Sequence, residues 1–128
     1  MKPVPVLLVV ILSCCAVLFQ GRETKGAEVC TVGEVRQRLQ CWNRNVEGFL
    51  GKNKVTEALA ALEQYSIESE DFVQLGCHAL AHRVGEKAHE LLQEGVRIPH
   101  DPLMQVCDYG FFHGYITAYL QKNNDISG

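Results

Sequence analysis

Two short motifs contain the residues whose types and spacing could do chemistry: Cys77-His78-Ala79-Leu80-Ala81-His82, and Cys107-Asp108-Tyr109-Gly110-Phe111-Phe112-His113-Gly114. If the first is helical, His78 and His82 stand one turn apart on a shared face, the simplest way for one backbone element to offer two imidazoles to a metal. His113 is a third imidazole about thirty residues on. Neutral imidazoles at about 2.0–2.1 Å suit zinc, with water free to take a fourth position. Copper and iron accept the same ligands. Glu86, one turn beyond His82, could add a carboxylate ligand or a general base, although a solvated helix residue is the plainer reading. His89 lies along the same helix border and His100 in a proline-flanked turn. No reaction is specified by these residues: Ala79 occupies the position where a zincin would carry its catalytic glutamate. C-x-x-C redox and C-x-x-C-H haem motifs are lacking, as are a phosphate loop and a nucleophile elbow.

The elements that must position these side chains read as helices. Thr31-Val32-Gly33-Glu34 has the form of a capping box. Val35, Leu39, Trp42, Val46, Phe49 and Leu50 then follow at three- and four-residue spacing, predicting an amphipathic helix that ends near Gly51. Val55, Leu59, Leu62 and Tyr65 define a shorter second helix. Ser69 is a candidate N-cap for a third, helped by Glu70 and Asp71, running to about Glu94 with Gly95 as terminator. Its core stripe is predicted to be Val73, Cys77, Leu80, Ala81, Val84, Ala88 and Leu91, with His78, His82 and His89 bordering it and Gly85 as a notch on the same border. Asp101 caps a fourth segment from Pro102, which is expected to break near Asp108 to Gly110 and resume through Leu120. In that segment Gly110, Gly114 and Ala118 make a flat face beside His113. Docked on the Gly85 notch, it would turn His113 toward His78 and His82. The fold class is therefore all-α, four to five helices.

Six cysteines are present, of which Cys30, Cys41, Cys77 and Cys107 lie beyond the N-terminal apolar stretch. An even number in an exported chain favours disulfides. Were Cys41 inside a helix that begins just after Cys30, the rise of ~1.5 Å per residue would set their Cα atoms roughly 15 Å apart. A disulfide needs less than about 7 Å, so Cys30–Cys41 is rejected unless that helix starts late. By elimination this also removes Cys77–Cys107 if all four pair internally. Cys77–Cys107 is nevertheless attractive, because it would clamp the two histidine-bearing segments together.

Lys2 followed by the apolar run Val4 to Phe19 reads as a signal peptide ending near residue 26. The run is shorter than the ~20 apolar residues of a membrane-spanning helix. Ile11-Leu12-Ser13-Cys14 is a fainter match to a lipobox, so a lipid or membrane anchor ranks below a secreted or periplasmic destination. Residues 27–128 suffice for one helical domain. The 128-residue chain has a formal net charge of -3 with its Lys and Arg scattered, which argues against nucleic acid as a partner. No stable membrane span is expected in the mature chain.

The ordered pair Cys77-His78-x-x-x-His82-x-x-Gly85 and Cys107-x-x-Gly110-x-x-His113-Gly114 resembles a loosely defined group of exported proteins that lack an assigned activity. The resemblance covers about forty residues, from Cys77 to Ala118, and implies that the histidines and glycines belong to one site. Members of that group run longer than this chain, so the resemblance leaves room for a C-terminal portion with further ligands or cysteine partners.

Two functions are expected from this reading. The first is a secreted helical protein that holds zinc, copper or iron through His78, His82 and His113, with an unassigned activity. The second is a non-enzymatic interaction or small-ligand module in which those histidines are structural and the aromatics Tyr109, Phe111, Phe112, Tyr115 and Tyr119 are exposed and serve recognition, although simple core is the plainer reading of those rings.

Overall fold

The protein is described here from a computed structural model covering residues 29–124. The signal-peptide reading of residues 1–26 lies outside the described residues. Five helices follow in order: α1 Val35–Leu50, α2 Val55–Glu68, α3 Glu70–Leu75, α4 Cys77–Gln93 and α5 Gly110–Asn124, with a 3₁₀ turn at Pro102–Gln105 between the last two. No strand occurs among the described residues.

The first three helices meet through aromatic rings. Trp42 of α1 stands edge-on to Phe72 of α3 with centroids 5.0 Å apart, and Tyr65 of α2 meets Phe72 at 5.4 Å. Phe72 is fully buried, as are Val46, Leu59, Leu62, Val84 and Leu91. Each such side chain contributes about 1.5–3 kcal/mol through removal from water. The Asn45 amide donates to the Tyr65 hydroxyl at 2.9 Å, so the buried phenol has a partner.

Three sequence expectations change here. The capping box is Glu34 with Gln37, not Thr31 with Glu34, and α1 starts at Val35. Residues 30–34 are therefore free to double back, with Gly33 at φ 103°. That brings Cys30 to within 5.5 Å (Cα to Cα) of Cys41, and the two are bonded. The rise argument against this pair assumed helix where the chain turns. Cys77 and Cys107 form the second disulfide among the described residues, with Cα atoms 5.2 Å apart, so the elimination falls with its premise and the expected clamp between the two histidine-bearing segments is present.

The expected third helix is two helices. Gly76 (φ -135°, ψ -27°) separates α3 from α4. The break redirects the face of α3, so that Phe72 enters the core and Val73, assigned to the core stripe from a continuous 100° period, is 48% exposed. Ser69 does cap α3, its hydroxyl accepting from the Phe72 amide. At the far end of α4, Gly95 at φ 84° allows the Val96 amide to reach the Leu91 carbonyl at 2.9 Å and its own amide to reach Leu92. This is a Schellman closure. Asp101 caps as expected, accepting from Leu103 N at 2.9 Å, but over a single 3₁₀ turn rather than an α-helix.

Candidate metal centre

The site is built on the seam between α4 and α5, the most extensive helix contact among the described residues. Glycines set the depth of that seam. A methyl group on Gly85 would lie 2.8 Å from both the Phe111 carbonyl carbon and the Tyr115 nitrogen. One on Gly114 would lie 2.6 Å from the His82 carbonyl carbon, and one on Gly110 would lie 2.6 Å from the His78 carbonyl oxygen. Backbone therefore meets backbone at three points along the two helices, at positions where no other residue type fits without a shift. The two helices are joined at one end by the Cys77–Cys107 bond.

The chain enters α5 through a left-handed turn: Cys107, Asp108 and Tyr109 have φ of 58°, 52° and 59° in succession. Non-glycine residues avoid this region, at roughly 1–2 kcal/mol each, and persist there only where surrounding contacts over-determine them. The contacts here are the disulfide at Cys107 and two donors to the Cys107 carbonyl. Gly110 N donates to it at 3.1 Å, and the second donor is His78 Nδ1 at 3.0 Å.

That last bond fixes the chemistry of His78. A carbonyl only accepts, so Nδ1 of His78 carries the proton and, in the neutral ring, Nε2 carries the lone pair. The atom facing that lone pair is Nδ1 of His113, 3.3 Å away, with ring centroids 5.1 Å apart and the planes at 62°. Both rings are exposed to solvent. Without a metal, His113 Nδ1–H donates to His78 Nε2, giving a relay from His113 through His78 to the Cys107 carbonyl.

His82 is held differently. Its Nδ1 lies 3.1 Å from Glu86 Oε1, so the carboxylate predicted as a possible ligand or base is the acceptor for an imidazole N–H, and His82 Nε2 is the ring nitrogen left to accept. The three imidazoles expected at one point are thus a His78–His113 pair plus a separate His82–Glu86 pair. Among the described residues no group of three or more His, Cys, Asp or Glu stands close enough to hold a metal ion. His89, read as a border residue, is buried, with Nε2 3.1 Å from Gln93 Nε2 and the rings of Tyr115 and Tyr119 edge-on to it. His100 lines a separate apolar hollow of about 290 Å³ with Met104, Phe111, Phe112 and Tyr115.

The Cys107 carbonyl is the contributor that sequence reasoning missed. A backbone group in a strained turn leaves no residue-type signal; the only hint was the expected break around Asp108. No protein-family model matches the chain, and no curated protein or solved structure matches it closely enough to lend an assignment.

Proposed function

We propose that this is an exported, disulfide-stabilised helical protein that holds a transition metal at the α4–α5 seam through Nε2 of His78 and Nδ1 of His113. The observation that carries the reading is the pair geometry together with the carbonyl behind it. Two nitrogens on one tetrahedral zinc at ~2.0–2.1 Å stand about 3.3–3.4 Å apart, and the two ring nitrogens stand 3.3 Å apart. Metal-bound imidazoles characteristically donate their other N–H to a carbonyl or carboxylate, which fixes tautomer and orientation. His78 does so to Cys107 O. Copper and iron fit the same nitrogen donors.

His82 lies one turn along from His78 and is oriented by Glu86 in the same manner, but its place in this reading is outside the coordinating pair. Export fits the two disulfides, which form and last in oxidising compartments. No helix among the described residues is long and apolar enough to cross a membrane.

The test is metal content by mass spectrometry on untagged protein secreted from cells, with zinc, copper and iron each offered at neutral pH. Bound metal is expected in wild type and in His82→Ala, and none in His78→Ala/His113→Ala. Absence of metal from wild type under all three conditions would overturn the reading and favour the histidines as structural residues of an interaction module.

A further inference from the structure

The outer face of α5 departs from what a surface helix should be. Gly110, Gly114 and Phe111 are buried against α4. The opposite side of a helix in that position is normally polar, and a helix that is apolar all round is normally buried. Here Ile116 is 52% exposed, Tyr119 54% and Leu120 51%, and Tyr109, just ahead of the helix, is 56% exposed. Lys122 does not break this surface: its ammonium turns to the Gln93 side chain of α4. His113, Ile116 and Leu120 recur at three- and four-residue spacing, so they form one narrow seam of the kind that packs helix against helix. Isolated exposed apolar residues elsewhere need no explanation; this set is contiguous and contains a ligand of the proposed metal.

The metal site points to the occupant of that face. One chain offers two imidazole nitrogens, 3.3 Å apart and open to solvent, with no third ligating group beside them among the described residues. Structural zinc takes four. A second copy related by a twofold axis would bring the same patch onto itself, and with it His78 and His113 a second time, making four nitrogens at one point on the seam.

We infer that the outer face of α5 docks on the same face of a second copy, and that a single zinc ion joins them through His78 and His113 of each chain. This rests on the reading that His78 and His113 hold a metal. Zinc is needed because the apolar strip is small. The 15 residues of α5 make a helix about 22 Å long, and at roughly 10 Å wide its outer face projects about 220 Å². Stable association without help buries nearer ~800 Å² per partner. The apolar contact is therefore insufficient without the metal, and removal of zinc separates the chains.

The experiment is sedimentation equilibrium on the disulfide-intact protein, stripped of metal and then titrated with zinc, with bound zinc measured in the same samples. Expected are monomers without zinc, and a twofold rise in mass that saturates at one zinc per two chains. Ile116→Glu/Leu120→Glu is expected to abolish the rise; both positions are half exposed, so the fold tolerates the change, which circular dichroism checks. Monomers that bind one zinc per chain would overturn the inference while leaving the metal reading intact. Dimers that persist without zinc would overturn the metal bridge, and protein that takes up no zinc would overturn both.

Discussion

At the scale of single residues, the histidines owe their arrangement to what stands behind each ring. His78 and His82 stand one turn apart on the same helix, yet one is oriented by a carbonyl from another segment and the other by Glu86 on its own helix. The helical period placed both on one border, and that much was legible in the sequence. Which acceptor each ring found was not, because the Cys107 carbonyl depends on a left-handed turn that Asp108 can adopt but Cys107 and Tyr109 give no sign of. Tyr65 shows the complementary case of a polar group tied into the core. Burial pushes its phenol above the ordinary value of 10.0, with Glu68 adding to the rise and the Asn45 hydrogen bond opposing it. A raised folded-state value means that the stabilising contribution is complete below the unfolded value and is lost as pH climbs through the folded one. We expect the protein to lose stability above about pH 10, and Tyr65→Phe to remove that alkaline loss at a cost of about 1 kcal/mol at neutral pH. Urea titrations at neutral and alkaline pH measure both, and a variant midpoint that still falls with rising pH as steeply as that of wild type would contradict the assignment.

At the scale of elements, local signals located helix ends where the punctuation was chemical. Ser69 and Gly95 act as expected, one through its hydroxyl and the other through a positive φ. The failures came where a continuous period was assumed through a glycine. The expected helix from Ser69 to Glu94 runs straight through Gly76, whereas the chain turns there and Phe72 rather than Val73 enters the core. Glycine in the α4–α5 seam has another meaning, close backbone approach, and here the fourfold recurrence of Gly110, Gly114 and Ala118 was a usable signal. The two meanings separate experimentally. Gly114→Ala should destabilise the protein by about 1–3 kcal/mol, since its methyl would meet the His82 backbone and force the helices apart. Gly48→Ala, on the exposed side of α1 with nothing within 4 Å of the added methyl, should stabilise it by about 0.5–1 kcal/mol. Thermal unfolding of both variants decides, and a neutral Gly114→Ala would contradict the packing argument for the seam.

At the scale of the whole molecule, an aromatic cluster ties α1 to α2 and α3, and a glycine-lined seam ties α4 to α5, each with its own disulfide. The all-helical class was readable from periodicity alone, because every apolar stripe had a spacing of three or four. The cysteine connectivity was not, since it turned on whether five residues before α1 were helical or bent. In this arrangement the Cys77–Cys107 bond anchors the strained turn that presents its carbonyl to His78, so the histidine pair depends on tertiary structure that no short motif encodes. The measurement that tests this account most directly is diffraction from zinc-soaked crystals at energies either side of the zinc absorption edge. The account predicts an anomalous peak about 2.0–2.1 Å from both His78 Nε2 and His113 Nδ1. A zinc peak elsewhere, or none with the two imidazoles still hydrogen-bonded to each other, would contradict it.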